Sequence, residues 1–229
     1  MRGLATLLIG LVLLPGAAAA RPAPRVLIDY TPVFDRVCSQ AVGSPTPPGA
    51  SEEIVARLEE FRRLWAQGGP RLLETAQVIT GRPYGFRETV AAVHVCPGFA
   101  SMSLPLLINV RLFLRATNGR FVDRPEMFVD TLFHETLHTY IRGILGAGDK
   151  AAPRSALLRK YAQESLVTRN HLHLIALQSE VYRRLGQPEM VDAARAADAP
   201  IGPDYVRAWA IVDTEGAQPF IGELQSAAR

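Results

Sequence analysis

Residues 134–138 read His-Glu-Thr-Leu-His. Histidines four apart lie one turn apart on the same face of a helix. One rigid element can therefore offer two imidazoles, His134 and His138, to a single small cation. Neutral imidazole suits Zn2+, which takes about four ligands and in catalytic sites leaves one place for water. Glu135 stands beside the first histidine, where it reaches that place without occupying the metal. A bound zinc lowers the pKa of water to about 7, and Glu135 would accept the proton and pass it to a leaving amine. The other reading of the same five residues is a pair of core or surface histidines with an exposed glutamate.

The motif needs a helix, and its flanks predict one. Asp123-Arg124-Pro125-Glu126 has the pattern of an acidic cap with glutamate three residues on and proline in the first turn. Gly146 and Gly148 should end the helix near Leu145. A breaker segment over 146–154 then precedes a second long helix predicted over 155–185. Upstream, Ser51-Glu52-Glu53 opens a helical pattern carried by Ile54, Leu58, Phe61 and Leu64. Gly68-Gly69-Pro70 is expected to interrupt it, with a shorter helix over 72–79. Residues 88–95 are rich in β-formers, and 106–114 alternates as a half-buried strand does. The tail, 188–229, reads as short helices joined at Pro200 and Gly202-Pro203. The sum is an α+β fold, helix-dominated, with a small sheet placed before the two long helices.

Residues 134–138 resemble the active-site helix of the zincin metallopeptidases. The resemblance implies zinc ligation by His134 and His138, with Glu135 as general base. It also implies a sheet whose edge strand lies beside the helix and aligns substrate backbone, a role that falls to 106–114. The histidine that metzincins carry just after the motif is absent from Thr139-Tyr140-Ile141-Arg142-Gly143-Ile144. The gluzincin-like arrangement takes a glutamate from a separate downstream helix, and Glu164 fits. Helical phase groups Glu164 with Val167, Thr168, His171, Leu174, Ile175, Gln178 and Tyr182 on one largely apolar, inward side. His173 and Glu180 fall toward solvent in the same phase. Glu164 is thus the expected third ligand and His171 the alternative. As a non-ligand, His171 reads either as an oxyanion-stabilising residue or as a buried histidine bonded to a neighbouring element. Tyr140 matches such stabilising residues by type. Cys96 is a further alternative ligand, since peptide deformylases place a cysteine upstream of a similar helix. The sequence around it, Val95-Cys96-Pro97-Gly98, does not match that family's motif.

The rest of the chain sets the context. Residues 1–20 have a positive start, a short apolar run and a small-residue end, the layout of a secretory signal peptide. The expected product is an exported protein, periplasmic or secreted, with one domain over 21–229 and no stable membrane anchor. Two cysteines in such a chain predict a Cys38–Cys96 disulfide, against the alternative of two buried thiols. The formal net charge of +3 is too small to argue for nucleic acid or an anionic membrane as partner. The expected activity is a zinc metallopeptidase acting on a peptide or protein substrate. Two alternatives remain: a zinc hydrolase of non-peptide amides or esters, and a non-catalytic binding module stabilised by its metal.

Overall fold

Alternation builds the sheet. In β1 (Arg25–Tyr30), Val26 and Ile28 are buried while Leu27, between them, is exposed. β2 (Glu88–His94) buries Ala91 and Val93 on the same inner face and leaves Val90 outside. This computed structural model describes residues 22–146 and 154–227. The expected signal segment lies outside them, as does most of the breaker segment before residue 154. β1 pairs in parallel with β2, and β2 in parallel with β4 (Leu106–Asn109). The two-residue β3 (Met102–Ser103) runs antiparallel along the outer side of β4, giving the order β1-β2-β4-β3.

Two features of this sheet differ from expectation. The strand predicted over 106–114 stops at Asn109, and two short 3-10 turns follow, Arg111–Phe113 and Arg115–Thr117. The Asn109 side chain explains the stop. Its amide donates to Cys96 O at 3.1 Å and its oxygen accepts from Arg111 N at 3.0 Å. Those bonds turn the backbone away from the ladder. β4 is also an interior strand, so the edge beside the helices is β3. β1 itself carried no strand expectation.

The helices are α1 (Pro32–Val42), α2 (Ala50–Thr80), α3 (Glu126–Leu145), α4 (Ala156–Lys160), α5 (Leu166–Arg184), α6 (Pro188–Asp198), α7 (Pro203–Glu215) and α8 (Ala217–Ser226). α2 is continuous through Gly68-Gly69-Pro70, where a break was predicted. An interior proline costs a helix about 3 kcal/mol. Burial of Phe61, Trp65, Leu72, Leu73 and Ala76 on either side offsets this. Gly69 is small for a packing reason: a Cβ there would stand 2.3 Å from the Trp65 ring. The cap expected at the start of α3 is not made. Asp123 pairs with Arg115 at 3.1 Å and Glu126 with Arg124 at 2.9 Å. The end is as expected, with Gly146 donating to Arg142 O at 2.8 Å.

The second long helix is two helices. The chain leaves α4 at Lys160 and turns, and Ser165 restarts it as α5 by accepting from Thr168 N at 3.0 Å. α5 lies at the centre of the fold, with α2, α3, α6, α7 and α8 all packed against it. It is buried nearly all round from His171 to Tyr182. His173, expected on a solvent face, is therefore only 2% exposed. A Cys38–Cys96 disulfide, with Cα atoms 5.9 Å apart, ties α1 to the end of β2. It also removes Cys96 as a metal ligand. No helix among the described residues is long and apolar enough to cross a membrane.

Candidate metal centre

α3 and α5 pack side by side, and their facing histidines meet. His134 and His138 lie one turn apart on α3, with ring centroids 5.0 Å apart. His171 reaches across from α5 to within 5.3 Å of the His134 ring and 4.8 Å of the His138 ring. One nitrogen from each falls within 4.8 Å of the others. Nitrogens at about 2.1 Å around a tetrahedral zinc stand roughly 3.4 Å apart, so an ion would draw the three rings inward.

Hydrogen bonds set which nitrogen of two of the rings is free. The Gln178 amide donates to Asp130 Oδ1 at 2.6 Å, leaving its carbonyl oxygen 3.2 Å from His134 Nδ1. That oxygen can only accept, so the His134 proton sits on Nδ1 and the lone pair on Nε2. Tyr182 donates to the same Asp130 oxygen at 2.7 Å, holding the relay from behind. His171 donates from Nδ1 to Val167 O, one turn back, at 2.7 Å. Its Nε2 is buried and has no hydrogen-bond partner. An orphaned buried lone pair is costly, and a metal ion held with His134 and His138 would satisfy it. Burial also lowers the pKa of His134 and of His171 to about 4, and that of His138 well below its ordinary value. All three imidazoles are thus kept in the neutral form that binds metal.

Glu135 is buried beside them. Burial first, and then the charge of Asp198, push its carboxyl up to about 8. A cation among the histidines would act the other way and favour the carboxylate. Two residues from the tail helices complete the surroundings. The Tyr205 ring of α7 lies 4.3 Å from that of His171. Burial, then the charges of Glu135 and Asp198, push its hydroxyl up to about 12, so it stays protonated. Asp198, at the end of α6, accepts from Trp209 Nε1 at 2.8 Å, and burial raises its pKa to about 6.

Glu164 and Tyr140 are not brought to this cluster. Glu164 lies in the turn before Ser165, outside α5, so the phase that linked it to His171 does not apply. Its carboxylate accepts from Arg207 Nε at 3.0 Å and Nη2 at 2.6 Å. Tyr140 projects from the far side of α3 into the core. It donates to Arg82 O at 2.6 Å, bonds Thr80 and stacks on Tyr84. Asp130 and Tyr205 were not anticipated. Asp130 sits one turn before His134 on the same face of α3, a spacing visible in the sequence. Tyr205 and Asp198 bear no fixed spacing to the motif.

Comparison with protein-family models, with curated proteins and with solved structures gives no match.

Proposed function

We propose that this protein is a metal-dependent hydrolase of peptide bonds, with His134, His138 and His171 as the ligands of a zinc-class cation and Glu135 as general base. The observation that carries the reading is the convergence of three neutral imidazoles on one point, with a carboxyl beside them. Three protein ligands leave a position open, as catalytic zinc sites do. The cation would supply Lewis acidity, lowering the pKa of water and polarising a carbonyl.

The chain's own groups do the rest. Gln178 and the Val167 carbonyl orient the His134 and His171 rings. Glu135 takes a proton from the attacking water and delivers it to the leaving amine. The Tyr205 hydroxyl, protonated and on a ring beside His171, would donate to the oxyanion. Ser103 of edge strand β3 lines the same cleft as His138, and Thr139 of α3 donates to its carbonyl at 3.0 Å. That edge is the one from which an extended substrate would be aligned.

Elemental analysis of the purified chain and of His134→Ala, with peptide-library cleavage by wild type and Glu135→Gln, tests the proposal. About one zinc per chain is expected, lost in His134→Ala. Glu135→Gln should keep the metal and lose roughly 100- to 10,000-fold in rate. A chain that takes up no divalent metal would end the proposal. One that binds zinc but cuts only non-peptide esters or amides would move it to another substrate class.

A further inference from the structure

On the His138 side of the cluster a cavity of about 150 Å³ opens between α3, α5 and β3. Arg142, Arg169 and Asn170 line it together with Ser103, His138 and His173. No acidic residue is among the described residues that form its wall. Arg142 stands one turn beyond His138, and its charge is felt by that imidazole. Arg169 and Asn170 immediately precede His171. Neither arginine makes an ion pair among the described residues. Arg169 Nε is buried with no hydrogen-bond partner among the described residues. Glu223, the carboxylate that His173 of the wall binds at 2.8 Å, is also held by Ser155 and by Leu157 N at 2.9 Å.

A buried guanidinium N–H without an acceptor is costly to keep. Two cations facing one cavity repel each other as well. Both costs are relieved by an anion, and a planar carboxylate matches the guanidinium fork in particular. The cavity has room for a carboxylate with a short side chain. We propose that it is a carboxylate subsite beside the metal centre, in which Arg142, Arg169 and Asn170 hold the C-terminal carboxylate of a peptide whose scissile bond lies over His134, His138 and His171. This assignment rests on the hydrolase reading for the position of the cut, but the anion subsite stands on its own geometry.

Calorimetric binding of an N-acetylated alanine tripeptide, as free acid and as C-terminal amide, separates the two. It is measured on the metal-free full chain and on the zinc-loaded Glu135→Gln chain. A third peptide, amidated but with a glutamate side chain near its end, distinguishes a side-chain carboxylate from a terminal one. The free acid should bind roughly tenfold more tightly than the amide, with or without zinc, as loss of a charge-assisted pair implies. Arg169→Gln and Arg142→Ala should each shrink that preference while circular dichroism and zinc content stay unchanged. Glutamate-peptide binding equal to that of the free acid would change the source of the carboxylate to a side chain. Equal binding of acid and amide, or no binding of either, overturns the subsite. So does a preference for acid that appears only with zinc and survives in both arginine variants, because the carboxylate would then sit on the metal. Should wild type fail to cut any peptide while the acid preference persists, the hydrolase reading fails and the subsite remains.

Discussion

His171 and His173 sit two residues apart on α5, face opposite sides of the same buried helix, and are equipped differently. His173 gives its Nε2 to Glu223 at 2.8 Å, and that carboxylate also holds Ser155 and Leu157 N at the start of α4. The Nε2 of His173 and the Glu223 carboxylate thus satisfy each other within the chain. His171 is tied only through Nδ1, and its Nε2 lone pair faces the rings of His134 and His138 with nothing to satisfy it. His94 gives a third case. Its Nδ1 accepts from Cys96 N at 3.3 Å, so its unpartnered Nε2 carries the proton and lies among Phe34 and Phe99. Burial alone does not mark a ligand. A buried lone pair without a donor, aimed at other lone pairs, does.

The largest effect should come from separating the two candidates for third ligand. His171→Ala removes one of three converging nitrogens and should abolish stoichiometric zinc, read by elemental analysis after dialysis. Glu164→Ala breaks only its surface pair with Arg207, a solvent-screened contact. It should leave zinc content at wild-type level. Zinc lost in Glu164→Ala and kept in His171→Ala would take His171 out of the metal site and end its contrast with His173.

The presence of His171, and not Glu164, beside His134 and His138 shows where the sequence is legible. The pair His134 and His138 with Glu135 could be read directly, because their spacing within one helix fixes their geometry. The extent of α3, the β character of 88–95 and the α+β class were likewise carried by local periodicity and by Gly146. Glu164 failed because the reading ran one helix through 155–185, and the break at Ser165 put Glu164 outside the phase that selects His171. His173 failed because its face is covered by α8, a contact that no pattern local to α5 encodes. The continuity of α2 came from Trp65 packing over Gly69, where local rules read Gly-Gly-Pro as a stop. Tyr205 and Asp198 reach the centre through the docking of tail helices, which leaves no spacing in the chain.

The His173 side should respond to acid as a structural pair does. Burial tends to raise the Glu223 carboxyl, but bonds from His173, Ser155 and Leu157 N outweigh it and bring it down to about 2. A carboxylate held below its unfolded value of about 4.5 stabilises the fold above that pH. The contribution is lost as pH falls from about 4.5 toward 2. Solvent around the half-buried carboxylate screens part of the interaction, so its size is about 1–2 kcal/mol, to be read from urea unfolding at pH 6 and in steps below pH 4. Glu223→Ala should lose a similar amount at pH 6, flatten the acid limb and still bind zinc. If it lost zinc as well, the two sides of α5 would not be independent.

The smallest effect should lie within the proposed metal cluster itself. The His171 tautomer is set by a main-chain carbonyl, Val167 O, which no side-chain substitution removes. The His134 tautomer depends on a side chain, Gln178, whose own orientation is enforced by Asp130. Burial raises the Asp130 carboxyl to about 7, yet Oδ1 accepts from Gln178 and Tyr182 in either protonation state. Gln178→Leu keeps the volume at this buried position but frees the His134 proton to choose either nitrogen. Zinc affinity should fall roughly 10- to 100-fold, the usual range for loss of a partner behind a metal-binding histidine. Competition against a chelating dye would measure it. Binding should persist, because His171 and its backbone bond are untouched. An unchanged affinity would mean that the Asp130–Gln178 relay packs α3 against α5 without setting the ligand, leaving the backbone bond of His171 as the only orienting contact that matters.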